Sequence, residues 1–185
     1  ERLSILRTNC FSMANRKENL SLDFKYHGDT HFIDANTLIN TQFHFLAIVQ
    51  EVGRTVNPSI KISVKYQAFK KGSFEVSQLI EIATVAGLFS APHLGFIKDV
   101  LSYVSDYLSI KSFLKGEKAS KIVEKKNNQT VELHLHGSNI TVHADAFKVY
   151  QNNLTVHQGF IKSGETLLGD ESVDGIELIE KKTKE

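Results

Sequence analysis

Residues 60–82, IKISVKYQAFKKGSFEVSQLIEI, decide the architecture. Two alternating apolar runs flank Lys70, Lys71 and Gly72. Ile60, Ile62, Val64, Tyr66 and Ala68 fall on one face of the first run, and Phe74, Val76, Ile80 and Ile82 alternate in the second. A period of two is the signature of a half-buried strand. A loop of Lys70, Lys71 and Gly72 would set Ala68 opposite Phe74, Tyr66 opposite Val76, Ile62 opposite Ile80 and Ile60 opposite Ile82. A two-residue loop would mix the faces, because a one-residue slip turns a strand over. Three-residue loops end in a left-handed residue, a place that suits Gly72. The stretch therefore predicts an antiparallel hairpin with an exposed lysine tip. "KKGS" has no helix directly after it, so it lacks the helix start that holds phosphate in a phosphate-binding loop.

Working outward, LSLDFKY alternates from Leu20 to Tyr26 and predicts another strand. HGD supplies turn chemistry, and THFI predicts a short return strand. Asp34 or Asn36 can cap a helix over 35–52, with Gly53 expected as its left-handed C-terminal cap. Ser90, Ala91 and Pro92 open a second helix whose stripe is Leu94, Ile97, Leu101, Val104 and Leu108, and Gly116 can end it. TVELHLHGSNITVHA reads as a hairpin turning at Gly137, Ser138 and Asn139. A loosely helical stripe over 152–168, a turn-rich GDESVDG and a final strand IELIE follow. This predicts an α+β fold: mainly antiparallel sheet with two helices in the order ββαββα, then a smaller hairpin, helix and strand. The expected divisions are a flexible segment at 1–19, an α+β domain at 20–116, a polar lysine-rich linker at 117–130 and the smaller segment at 131–185.

The 185 residues suffice for one moderate domain or two small ones. Lys plus Arg is 22 and Asp plus Glu is 21, so the net charge of +1 offers no general attraction to nucleic acid or an anionic membrane. Cys10 is the single cysteine and can form no intramolecular disulfide, which fits a reducing, cytoplasmic setting. The segment before Met13 lacks the continuous apolar core and cleavage site of a signal peptide. The most apolar window, LIEIATVAGLFSAPHLGFI, contains Glu81, Pro92 and His93 and is read as a strand followed by a helix, not a membrane span.

The run YQAFKKGSFEV, the apolar stretch and helix after it, and the later ESVDGIEL resemble uncharacterised proteins of bacteria, prophages and other mobile elements. The resemblance covers roughly Leu20 to Ile179. It implies a bacterial or phage setting, and it brings no activity and no site.

The common catalytic signatures are absent: the sequence has no P-loop, no G-x-G-x-x-G, no G-x-S-x-G and no H-E-x-x-H. No catalytic residue is assigned. HGDTH gathers His27, Asp29 and His31 at a turn, where such residues commonly serve local hydrogen bonds. The best constellation is His134, His136 and His143. A hairpin looping at Ser138 and Asn139 would put His143 across from His134, with His136 on the same face. Three imidazoles so placed could hold zinc, with Glu132 orienting a ligand or acting as base. Against this stands the plain reading that an amphipathic hairpin needs something polar at those positions. A basic patch of Lys70, Lys71, Lys115, Lys118, Lys121, Lys125 and Lys126 could touch nucleic acid, but Glu117 and Glu124 interrupt it and no aromatics interleave. The expectation is a non-enzymatic interaction protein without cofactor, binding a protein partner or itself through hairpin edges. A zinc-dependent hydrolase and a nucleic-acid binder are the alternatives.

Overall fold

The computed structural model describes residues 20–28, 32–66, 75–84, 94–125 and 129–182. The Lys70–Lys71–Gly72 loop, Lys126 and the segment 1–19 lie outside them. The fold is α+β with antiparallel sheet, as the alternation predicts. In chain order it comprises β1 (Leu20–His27), α1 (Ala35–Val56), β2 (Ile60–Tyr66), β3 (Glu75–Thr84), α2 (Leu94–Leu114), β4 (Lys121–Glu124), β5 (Thr130–Leu135), β6 (Ser138–His143), α3 (Ala144–Asn152), α4 (Leu154–Leu168) and β7 (Gly175–Lys182).

A four-stranded sheet runs β2-β3-β1-β7, and a three-stranded sheet runs β4-β5-β6. The hairpin of β2 and β3 forms, but in a different register: Ile62 lies opposite Ile82, and Ile60 opposite Thr84. The shift from the expected pairing is even, so it preserves the faces, and apolar alternation alone cannot detect it. The short strand expected after β1 does not form at Phe32 and Ile33. β1 instead pairs with β3 on one side and β7 on the other.

α1 starts where its cap chemistry puts it. The Asp34 carboxylate accepts the N–H groups of Asn36 at 2.8 Å and Thr37 at 3.3 Å. Its end differs from expectation. Gly53 is buried inside the helix, and Asn57 is the C-cap. A Cβ at Gly53 would run into Ile62 Cδ1, so the glycine serves close approach to β2 and does not end the helix. Gly116, at φ 90, does follow α2 in the left-handed region, together with Lys115 at φ 48. The stripe expected over 152–168 is α4, whose N-cap Asn153 accepts the Val156 N–H at 3.0 Å, and a separate helix, α3, precedes it.

Two apolar clusters hold the sheets. Leu22, Phe24, Phe45, Ile48, Val49 and Val52 belong to the first, and Val131, Leu133, Leu135, Val142 and Phe147 to the second. α2 enters both, through Val104 and Tyr107 in one and Ile110 and Leu114 in the other. Tyr107 is fully buried, its ring stacked 4.8 Å from Phe160 and its hydroxyl 2.8 Å from His157 Nδ1. Burial pushes its phenol up to about 12. Between β1 and α1, Thr41 Oγ1 donates to the Thr37 carbonyl, so Tyr26 donates to Thr41 at 2.7 Å and accepts from Gln42 Nε2 at 2.7 Å.

These connections correct the expected division. Residues 117–130 contain β4, a paired strand, and the segment 131–185 does not stand apart. Its β7 completes the first sheet, and its α4 packs along α1, with Gly159 against Ile48.

Candidate interaction surfaces

The β5–β6 hairpin turns at His136 and Gly137, with φ of 48 and 80, and Leu135 pairs with Ser138. Two consecutive positive-φ residues make the tight turn whose twist suits a hairpin. This register separates the three histidines. His134 faces Asn139, His136 sits in the turn, and His143 faces Thr130. Thr130 is four residues from His134, about 13 Å along a strand.

Each histidine has its own carboxylate. His134 Nε2 lies 3.4 Å from Glu132, His136 Nε2 2.9 Å from Glu117, and His143 Nδ1 2.6 Å from Asp106. Asp106 also accepts the His143 backbone N–H at 2.7 Å, which fastens the start of α3 to α2. Sequence reasoning missed Asp106, since nothing near it in the chain signals this partner. Among the described residues, no group of three or more His, Cys, Asp and Glu is placed to hold a metal ion.

Glu132 is saturated with partners. Its carboxylate takes Lys125 Nζ at 2.6 Å and Asn139 Nδ2 at 2.9 Å. The Lys125 contact holds it below the usual carboxylate range, which suits an ion-pair anchor better than a base. Of the described lysines, Lys121 and Lys125 both act on Glu132. Lys115 follows α2, Lys118 lies in the connection to β4, and Lys121 on β4 pairs opposite His134. Glu132 takes up the charge of Lys125.

Among the described residues, two apolar surfaces stand out. The first is the outer face of α1 and α4. Asn153 Nδ2 bonds Glu51 Oε1 at 3.0 Å and Thr55 Oγ1 at 2.9 Å, while Asp170 Oδ2 accepts the Asp34 N–H at 3.3 Å. The helices are therefore antiparallel, with the end of α4 beside the start of α1. Leu154, Ile161 and Leu168 recur every seven residues, so they form one line along α4. All are exposed, Leu168 at 89%. Ile39 and Phe43, one turn apart on α1, are 64% and 63% exposed. The His44 ring meets Phe43 edge-on at 5.6 Å, and burial lowers its pKa with help from Lys162, which favours a neutral ring.

The second surface is a groove of about 400 Å³ between β4 and α3. Ile122, Val131, Ala144 and Phe147 form its apolar lining; Glu124 on the strand side and Lys148 and Gln151 on the helix side supply polar groups. Register explains why it exists. Ile122 pairs with Leu133 and Glu124 with Val131, so both β4 residues lie on the core face of the sheet. α3 covers that face over β5 but leaves β4 open, and Ile122 stays 47% exposed.

No helix among the described residues is long and apolar enough to cross a membrane. No protein family, curated protein or solved structure matches the chain.

Proposed function

We propose that this chain is a non-enzymatic interaction protein of a bacterium, prophage or mobile element, working in the cytoplasm by self-association. The observation that supports the reading is the exposed line of Leu154, Ile161 and Leu168 along α4. Exposed apolar side chains aligned along one helix mark an interaction face. Burying a large aliphatic or aromatic side chain contributes about 1.5–3 kcal/mol. The three together contribute about 4.5–9 kcal/mol, on the scale of the ~4–15 kcal/mol that association costs in lost freedom. Among the described residues the three histidines are separated, which does not favour the zinc-dependent hydrolase alternative.

Sedimentation velocity over a concentration series tests the reading. The chain should shift from monomer to dimer or higher, and Ile161→Glu with Leu168→Glu should hold it monomeric without changing its circular dichroism. A monomer at every concentration up to the millimolar range rejects self-association.

A further inference from the structure

We propose that the groove between β4 and α3 binds an extended peptide segment of a partner protein, which adds as a strand to the open edge of β4. This surface is separate from the α1–α4 face and does not depend on it. Two observations point to the same occupant.

The first is the backbone of the edge. Among the described residues, β4 has β5 on one side and no strand on the other. Lys125 N–H donates to the Thr130 carbonyl at 3.0 Å. Main-chain groups alternate sides along an antiparallel strand, so Lys121 and Val123 turn toward β5 while Ile122 and Glu124 turn outward. A strand laid along β4 meets those outward groups.

The second is the groove beside that edge. Strand addition takes affinity from main-chain bonds and selectivity from pockets for alternate side chains. An added strand would project every second side chain onto the face where Ile122, Val131 and Phe147 wait. Glu124 and Lys148 set the charges: a basic residue of the peptide belongs by Glu124 and an acidic one by Lys148. Lysines often protect edges from such pairing. Here Lys121 and Lys125 lie on the opposite face of the sheet from Ile122 and Glu124, and Lys125 is drawn to Glu132.

The test uses the full chain, labelled with nitrogen-15, and a library of eight-residue peptides. Each carries Leu, Ile, Val or Phe at alternate positions, with Lys toward one end and Glu toward the other. Members should give saturable shifts in the amide signals of Ile122, Glu124 and Phe147. Methylating the peptide nitrogens that face β4 should weaken binding at least tenfold. Ile122→Lys, at a half-exposed position that the fold tolerates, should weaken it similarly, and Val123→Lys on the other face should not. A library without saturable shifts overturns the proposal. So do shifts confined to α1 and α4, insensitivity to N-methylation, or equal binding of a stapled helical peptide of the same composition.

Discussion

The two sheets are assembled in opposite ways. β4, β5 and β6 are consecutive, so the smaller sheet is a local meander. The larger sheet joins distant chain: β1 receives β3 along one edge and β7 along the other, with Leu20 opposite Lys182. Short-range pairing depends on turn chemistry, and long-range pairing depends on which faces must be buried together. A sequence pattern therefore reaches the β5–β6 hairpin more easily than the partner of β1. The two regions are nevertheless bound into one body by α2, which contributes to both apolar clusters.

The largest expected effect tests that binding. Phe24→Ala removes a buried ring that meets Phe45 edge-on at 4.7 Å and should cost about 3–5 kcal/mol. Leu133→Ala, in the other cluster, should cost about 2–5 kcal/mol. Both variants should melt in one transition by calorimetry. Two transitions in Leu133→Ala would show the meander unfolding alone, and the contrast would become a true domain division.

Next is the attachment of α4, which leads into β7. A Cβ at Gly159 would lie 2.8 Å from Ile48 Cγ1, whereas Gly164 has open space. Gly159→Ala should destabilise by about 1–3 kcal/mol through overpacking. Gly164→Ala should stabilise by up to about 1 kcal/mol through helix propensity. Urea unfolding that ranked them the other way would detach α4 from α1.

The meander's register can be tested at its turn. Gly137→Val should cost about 1–2 kcal/mol, since a β-branched residue resists positive φ. Ser138→Val, in an extended strand position, should be nearly neutral. A reversed order would restore a loop at Ser138 and Asn139 and bring His143 back across from His134.

The smallest effect concerns the approach to β7. Bonds from Ser172 and Thr37 hold the Asp170 carboxyl down to about 2. A depressed acid stabilises the fold above its unfolded value of ~3.9, and that contribution is lost as pH falls toward the folded value. Melting temperature should therefore drop between about pH 4 and pH 2, and Asp170→Asn should flatten that part of the curve.

The sequence made several elements legible through local chemistry: Asp34 as a cap, the alternation of β1, and Gly116 after α2. It misled where one residue type serves two purposes. Gly53 looks like a terminator, yet its role is to admit Ile62. Gly137 marked the hairpin, but Ser138 and Asn139 also suit turns, and choosing them assembled three histidines that the true register parts. β7 could not be matched to β1, because alternating strands carry no address for a partner 150 residues away. The groove was hidden for a related reason. Ile122 and Val123 were visible as apolar residues in a lysine-rich run, but the opening needs α3 to cover β5 and stop short of β4.

The β1–β7 pairing also constrains biosynthesis. One border of β1 must wait for a strand made about 150 residues later. At ~5–20 residues per second, the intervening chain takes about 8–30 s to synthesise. During that interval a nascent β1 keeps hydrogen-bonding groups that any other strand could claim. The chain's yield in a cell should therefore depend on translation speed and on chaperones that shield early segments, more than its final stability would suggest.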